Sequence, residues 1–312
     1  MKLIRRIFPA PASDPGCVAT IGNFDGLHKG HQAVIQHVEW KAQALGLPAT
    51  VISFEPLPIE LFRSPPPPRI YALRDKLRLL NGMNVDRFVC LRFNRRLASM
   101  EAEDFVQHVL LDGLKVRYLV VGDDFRFGKG RCGDYRLLQQ MGAEQGMQVV
   151  DTPTFLHDDE RVSSTRIRLA LSTGELELAA QLLGKPYRIS GRVRHGDKRG
   201  RTLGFPTLNM RVPQHVALRR GVYAVQVYGL ETHPVTGVAN LGARPTVHGL
   251  ENRLEAHLFG FDRQVYGQHI CVEPVAFIRD EMKFASLDEL KAQIAQDAAQ
   301  ARAGFQTAAS TS

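Results

Sequence analysis

The stretch CVATIGNFDGLHKGH, residues 17–31, changes from a strand pattern to a helix pattern. Cys17–Ile21 is apolar and partly β-branched, which predicts a short strand, and turn-forming residues then interrupt it at Gly22, Asn23, Asp25 and Gly26. Apolar residues recur at helical spacing after His31 as far as Leu45, and Gly46 predicts the end of that helix. His28 and His31 therefore lie at a helix N-terminus, where free N–H groups and the helix dipole favour a phosphate group.

The remainder of residues 17–150 alternates strand and helix patterns. Strands are expected at 49–54, 87–93, 118–122 and 148–150, and helices at 73–80, 105–110 and 135–145. This order predicts an α/β domain, a parallel sheet covered by helices on both faces. Ligands of such sheets bind beyond the C-terminal ends of the strands, and three loops fall there: Gly22–His31, Glu55–Pro58 and Gly122–Gly128.

The stretch RVSSTRIR, residues 161–168, precedes another helix pattern. The hydroxyl side chains of Ser163, Ser164 and Thr165 are typical of a helix start, where they cap free N–H groups. The guanidinium of Arg168 adds a group that can hold a triphosphate through two hydrogen bonds.

The pattern changes after Gly184-Lys-Pro186, which we take as the domain boundary. Consecutive strand patterns without intervening helices then predict an antiparallel sheet or small barrel. A capping-box match at Ser286–Glu289 predicts a last helix that starts near Leu287. The expected domains are residues 1–184 and 185–304, followed by a small polar tail, 305–312, that is expected to be disordered.

Composition limits the function classes. The formal net charge of +8 favours anionic partners, and nucleotide phosphates satisfy it as well as nucleic acid does. The charges form no blocks, and aromatic residues do not interleave with a basic stripe, so we expect no nucleic-acid partner. Four scattered cysteines without a C-x-x-C pair fit a reducing cytoplasm. The sequence has neither a signal-peptide pattern nor an apolar run of about 20 residues, so we expect no membrane association. A monomer or weak homo-oligomer is expected.

The segment GNFDGLHKGH resembles the G-x-F-D-G-x-H-x-G-H signature of the HxGH nucleotidyltransferases, and RVSSTRIR resembles their I-S-S-T-x-x-R motif. The resemblance implies a Rossmann-like domain that transfers a nucleotidyl group from ATP. His28, His31 and Arg168 would then be catalytic. The ATP-binding residues would be Gly22, Asn23, Phe24, Asp25, Ser163, Ser164 and Thr165.

The stretches SFEPLPIELF and GDDFRFGKGRCGD are similar to the FMN-binding stretches of prokaryotic bifunctional FAD synthetases. That family carries riboflavin kinase and FMN adenylyltransferase on one chain. The resemblance extends over about residues 15–300 and implies FMN contacts at Pro56, Pro58, Phe62, Asp124 and Phe125.

The segment GDKRGRTLGFPTLNM, residues 196–210, looks like the glycine-rich and P-T-A-N segment of riboflavin kinases, with Lys198 where many members have glycine and Leu208 where many have alanine. The resemblance implies a small antiparallel β-barrel of the riboflavin kinase type with a terminal helix. It assigns ATP to Gly196, Lys198, Gly200 and Gly204, Mg²⁺ to Thr207 and Asn209, catalysis to Glu255, and flavin to Arg279 and Glu281. The implied small molecules are ATP, riboflavin, FMN and FAD.

Two alternatives stay open from the sequence. The first is an HxGH transferase acting on pantetheine phosphate, nicotinamide mononucleotide or a polyol phosphate. The second is a flavin or nucleic-acid binder without catalytic activity. The presence of His28, His31, Arg168, Thr207, Asn209 and Glu255 argues against the second.

Overall fold

The chain forms two compact units. The computed structural model describes residues 1–122, 124–196, 204–212, 216–246 and 249–310. The first unit comprises Met1–Pro67 and Tyr71–Ser164, and the second comprises Pro68–Ile70 and Thr165–Ser312. The unit changes at Ser164/Thr165 instead of at the expected Gly184, because helices between these positions belong with the second unit.

The first unit is built on a six-stranded sheet with the order β1-β4-β3-β2-β5-β6, in which every pairing is parallel. This confirms the predicted parallel sheet. The strands are β1 (Lys2–Ile4), β2 (Cys17–Ile21), β3 (Ala49–Glu55), β4 (Arg87–Arg92), β5 (Val116–Gly122) and β6 (Gln148–Thr152). A separate antiparallel pair follows, formed by β7 (Leu156–His157) and β8 (Glu160–Arg161).

Helices cover the sheet of the first unit. They are α1 (Lys29–Leu45), α2 (Pro58–Phe62), α3 (Leu73–Asn81), α4 (Arg95–Ala98), α5 (Ala102–Asp104), a π-helix (Phe105–Gly113), a 3₁₀ turn (Lys129–Arg131) and α6 (Tyr135–Gln145). All of β2 is buried, and its alternate residues belong to different apolar clusters: Cys17 and Ala19 to one, Val18 to another. Because successive strand residues face opposite sides, the sheet is buried on both faces.

The second unit contains a closed antiparallel barrel with the strand order β10-β13-β12-β11-β14-β9. The strands are β9 (Ile189–Arg194), β10 (Thr207–Arg211), β11 (Gly221–Tyr228), β12 (Val235–Thr246), β13 (Gly249–Leu258) and β14 (His269–Arg279). Helices α7 (Ser164–Thr173) and α8 (Leu176–Leu183) precede it, and α8 contacts β14. The predicted barrel is therefore present.

The terminal helix α9 (Leu287–Ser310) packs on the outside of this barrel. Ala298 and Ala301 join the cluster of Val222 and Val238, and Phe305 packs against the same cluster. The prediction of a disordered tail is thus wrong for residues 305–310, because the helix continues to Ser310 and Phe305 packs against the barrel cluster. Residues 311–312 lie outside the described residues. Among the helices of the described ranges, none is long and apolar enough to cross a membrane.

Two candidate active sites

The first candidate site surrounds the loop between β2 and α1. His28 is the N-cap of α1, and its Nδ1 accepts a hydrogen bond from the N–H of His31 at 3.3 Å. The two imidazole rings stack with their centroids 3.6 Å apart. Both histidines therefore lie at a helix N-terminus, as the sequence predicts.

Burial controls the protonation of these two histidines. Burial, with a smaller contribution from the nearby charge of Arg161, lowers the pKa of His28 to about 4. Burial also holds the pKa of His31 well below its usual value, with His28 and Lys76 contributing. Both imidazoles are therefore neutral near pH 7. Since Nδ1 of His28 accepts a hydrogen bond, its proton is on Nε2, the atom that can donate to a ligand.

A cleft of about 1040 Å³ opens beside the two histidines. This volume is at the upper end of the range for ligand pockets. Most of the residues expected in the adenylyl-transfer site line it, namely Gly22, Asn23, Phe24, His28, His31, Pro58, Phe62, Asp124, Phe125, Ser163 and Ser164.

Four expected site residues lie elsewhere. Among the described residues that line the cleft, Asp25 and Pro56 do not appear. Asp25 is only 2% exposed; its backbone oxygen accepts from Ser164 Oγ at 2.8 Å, and its carboxylate accepts from the N–H of Tyr71. Asp25 thus holds the loop in position. Thr165 and Arg168 belong to the second unit, in which Arg168 Nε donates to the backbone oxygen of Pro68 at 2.7 Å.

The cleft also contains groups that the sequence did not single out. Among the described residues, four arginines line it, namely Arg63, Arg126, Arg131 and Arg161. The rings of Phe54 and Phe93 pack edge to face, and Phe93 meets Phe62 in the same way. The cleft therefore combines positive charge for phosphates with an aromatic wall for a flat ring. The sequence signals were the presence of Phe54 in SFEPLPIELF, of Arg126 and Arg131 in GDDFRFGKGRCGD, and of Arg161 in RVSSTRIR.

The second candidate site is a row of side chains across the barrel. In the antiparallel register, Asn209 of β10 lies opposite Glu255 of β13, and Glu255 lies opposite Asn240 of β12. Directly opposed residues of antiparallel strands share a face and are close neighbours. The structure thus brings together two expected residues, Asn209 and Glu255, and adds Asn240, which sequence analysis missed.

Two amide oxygens in this row are unsatisfied. Asn209 is 7% exposed, and within the described part of the chain its Oδ1 and that of Asn240 have no hydrogen-bond partner. Thr207 lies two residues before Asn209 on the same face of β10. The described residues contain no cluster of three or more His, Cys, Asp or Glu side chains fit for a metal. Neutral oxygens of this kind suit Mg²⁺, which keeps waters and shares substrate phosphates.

The other expected residues of the second site are distributed around the row. A Cβ atom at Gly196 would collide with the side chain of Asn209, so the glycine lets the backbone approach that amide closely. The carboxylate of Glu281 lies against Gly242 of β12. Gly204 is exposed with φ +84°. Lys198 and Gly200 lie outside the described residues.

Arg279 has a partner that the sequence did not predict. Its guanidinium donates to the carboxylate of Asp297 on α9 through Nε at 2.8 Å and Nη2 at 2.7 Å, and Nη1 donates to the backbone oxygen of Asp280. These bonds tie the end of β14 to the terminal helix. Arg279 therefore has a structural role in the fold, and the expected contact with flavin stays a prediction.

The histidine cleft and the barrel row both suit chemistry on phosphate groups, as in an enzyme of the phosphate-transferring class. A family model described as FAD synthetase matches residues 10–166, and one described as riboflavin kinase matches residues 183–305. The chain is 50% identical over 307 residues to the bifunctional riboflavin kinase/FMN adenylyltransferase of Escherichia coli K12, covering 98% of each chain. It is 46% identical to the Haemophilus influenzae protein of the same name, covering 98% of this chain and 99% of that one. The chain therefore belongs to the bifunctional riboflavin kinase/FMN adenylyltransferase family.

A solved structure has the same architecture. A crystal structure described as a macrolide-efflux protein from Streptococcus pneumoniae matches with a TM-score of 0.79 and 29% identity. The match covers 95% of this chain and 97% of that one. The likeness extends over both units.

Proposed function

We propose that the two activities of this family are divided between the two units, with adenylyl transfer in the cleft of the first and phosphorylation at the barrel row of the second. The chain is a bifunctional riboflavin kinase and FMN adenylyltransferase that makes FAD from riboflavin. The main support for placing adenylyl transfer in the first unit is the stacked pair of neutral histidines at the start of α1. They lie in a cleft lined by arginines and phenylalanines.

At the first site, an FMN phosphate oxygen attacks the α-phosphorus of ATP. The new P–O bond forms as the bond to the β-phosphate oxygen breaks, and pyrophosphate leaves. Because the attacking phosphate is already anionic, the main requirement is stabilisation of charge on the phosphates. His28 and His31 donate to these oxygens, and the N–H groups of Asn23 and Phe24 line the phosphate cradle.

The remaining groups of the first site bind the two substrates. Ser163 and Ser164, which line the cleft, hold the departing pyrophosphate. The flavin ring lies against the aromatic and proline residues, including Pro58, Phe62 and Phe125, with Asp124 nearby. The ion pair between Arg161 and Asp124, 2.9 Å long, supports a defined shape for this end of the cleft.

At the second site, the 5′-hydroxyl of riboflavin attacks the γ-phosphorus of ATP, and ADP leaves. An alcohol must lose its proton during this step, so a carboxylate is needed as base. Glu255 accepts that proton. The glycine-rich segment that includes Gly196 and Gly204 contacts the ATP phosphates, and Glu281 contacts the flavin.

Thr207 and Asn209 would hold Mg²⁺ at the second site, and the unpartnered, buried Oδ1 of Asn209 fits this role. The ion would offset negative charge on the ATP phosphates. The side chain of Asn209 also lies in close contact with Gly196.

We place both reactions in the reducing cytoplasm, on small-molecule substrates alone. The four cysteines are free thiols, which supports a reducing compartment.

The decisive experiment is a chromatographic time course with riboflavin, ATP and Mg²⁺ that separates riboflavin, FMN and FAD. We expect FMN to appear first and FAD second. FMN without FAD would contradict the assignment of the first unit. FAD from added FMN, without turnover of riboflavin, would contradict that of the second.

A further inference from the structure

The first unit contains a buried lysine that neither the motifs nor the proposed mechanism uses. Lys76 lies on α3 and is only 3% exposed, although lysine is almost never fully buried unless it is paired. Its Nζ donates to the backbone oxygen of Asn23 at 2.7 Å and lies 3.4 Å from Ser53 Oγ. Ser53 is itself buried and donates to the same oxygen at 3.2 Å. Two buried donors therefore converge on one carbonyl of the histidine loop.

This loop has a backbone that needs support. Phe24 has φ +46° and Leu27 has φ +45°, in the left-handed region that bulky residues rarely adopt. Such conformations persist only when the surroundings enforce them, and they are concentrated at functional sites. The hydrogen bond from Ser164 Oγ to the Asp25 oxygen holds the loop from another side. Lys76 and Ser53 supply the support at Asn23.

The bond to Lys76 also sets the direction of an N–H group. In a trans peptide the C=O and N–H groups point in opposite directions. When the carbonyl of Asn23 points at the buried Nζ, the N–H of Phe24 is turned away from the core. The cleft, which Asn23 and Phe24 line, is where that N–H is needed.

We propose that Lys76 is a positioning residue for adenylyl transfer: by fixing the Asn23 carbonyl from the core, it orients the loop 22–28 toward the substrate phosphates. This inference rests on the proposed function of the first cleft. Lys76 also affects the neighbouring His31, because its positive charge helps to hold the pKa of that imidazole low.

The test compares Lys76→Met with Arg78→Met in the full-length chain. Both remove one positive charge from α3, but Arg78 is exposed. Misplacement of catalytic groups by about 1 Å costs on the order of 10²-fold in rate. We expect Lys76→Met to lower kcat for FAD formation from FMN by about that factor, with KM for FMN changed little. Arg78→Met should keep the wild-type kcat, and riboflavin phosphorylation should be unchanged in both variants.

Hydrogen exchange separates release of the loop from unfolding of the unit. In Lys76→Met, amide exchange should rise in the peptide that contains residues 22–28, while β2 and β3 keep their protection. A wild-type kcat in Lys76→Met would overturn the proposal. So would faster exchange throughout the first unit, because Lys76 would then serve folding alone.

If Lys76→Met does not fold, Lys76→Gln takes its place, since glutamine is polar but too short to keep the bond to Asn23. A folded Lys76→Gln with lowered kcat supports the proposal, whereas a wild-type kcat, or failure to fold here too, overturns it. The proposed function is tested separately, by FAD formation in the wild-type chain.

Discussion

Asn209 and Glu255 lie directly opposite each other on adjacent strands of the barrel, and the buried Oδ1 of Asn209 has no hydrogen-bond partner among the described residues. An unpaired buried acceptor costs free energy, about 1–3 kcal/mol. A ligand bound at this position beside Glu255 would satisfy the amide and offset that cost. The arrangement couples the proposed metal residue and the proposed base within one pair of strands.

Replacement of Glu255 by glutamine should therefore remove the base and keep the shape of the row. We expect Glu255→Gln to lower the rate of riboflavin phosphorylation by about 10²–10⁴-fold, the usual contribution of a general base. FAD formation from supplied FMN should stay at the wild-type rate, since we assign that reaction to the other unit. Steady-state assays with riboflavin or FMN as substrate measure the two rates. The control is Glu231→Gln, which replaces an exposed glutamate that pairs with Arg263. An equal loss of both activities in Glu255→Gln would contradict separate sites.

Replacement of either stacked histidine should lower adenylyl transfer and leave riboflavin phosphorylation intact. His28→Asn or His31→Asn should lower adenylyl transfer to FMN by about 10²–10³-fold, the range for loss of one transition-state donor. Riboflavin phosphorylation should be unchanged. The matched control is His37→Asn, which lies on the same helix with its Nε2 3.4 Å from Tyr118 Oη. Pyrophosphate release with FMN and ATP gives the rate, and wild-type release in either cleft variant would refute the role of the histidines.

Local patterns predicted the parts of the fold that depend on local sequence. The strand Cys17–Ile21 and the helix Tyr135–Gln145 have the predicted bounds. The capping box near Leu287 is also present, with Ser286 Oγ accepting from the N–H of Glu289 at 3.1 Å. Each of these signals lies within a few neighbouring residues, so the sequence alone is sufficient.

Features set by distant contacts were missed or wrong. Strand β1 has only three residues and exists because it pairs with β4 at the sheet edge. The pairing of Asn240 with Glu255 depends on the register of two strands, and the bond from Lys76 to Asn23 joins residues 53 positions apart. Neither can be predicted from the periodicity of one segment. The helical tail depends likewise on the contact of Phe305 with the barrel cluster.

The low pKa of His28 predicts how acid affects the first unit. Its pKa is 6.5 in an unfolded chain but about 4 in the fold, because burial disfavours the charged imidazole. Between these values the unfolded state binds more protons, so the free energy of unfolding falls as the pH drops from 6.5 to 4. The full effect of His28 is about 3 kcal/mol, and His31 adds to it in the same direction.

Urea unfolding at pH 7 and pH 5 measures this effect. Trp40, the single tryptophan of the chain, lies on α1 in the first unit, so its fluorescence reports on that unit. We expect a lower urea midpoint at pH 5 in the wild type and a smaller decrease in His28→Asn. His37→Asn serves as control and should follow the wild type. An identical decrease in His28→Asn and the wild type would contradict the assignment of acid sensitivity to His28.

The pair formed by Arg279 and Asp297 should stabilise the second unit. Asp297 is 3% exposed and accepts two hydrogen bonds from the guanidinium, so Asp297→Ala leaves a largely buried charge without its partner. Breaking a buried ion pair in this way costs about 3–5 kcal/mol, and we expect the lower end because Arg279 retains some exposure. Kinase activity should therefore be lost on heating at a lower temperature than in the wild type, whereas adenylyl transfer should be lost at the wild-type temperature. Asp288→Ala, in the first turn of the same helix, is the control and should cost at most about 1 kcal/mol through the helix dipole. Equal heat sensitivity of the two aspartate variants would mean that the terminal helix is held by its apolar contacts with the barrel alone.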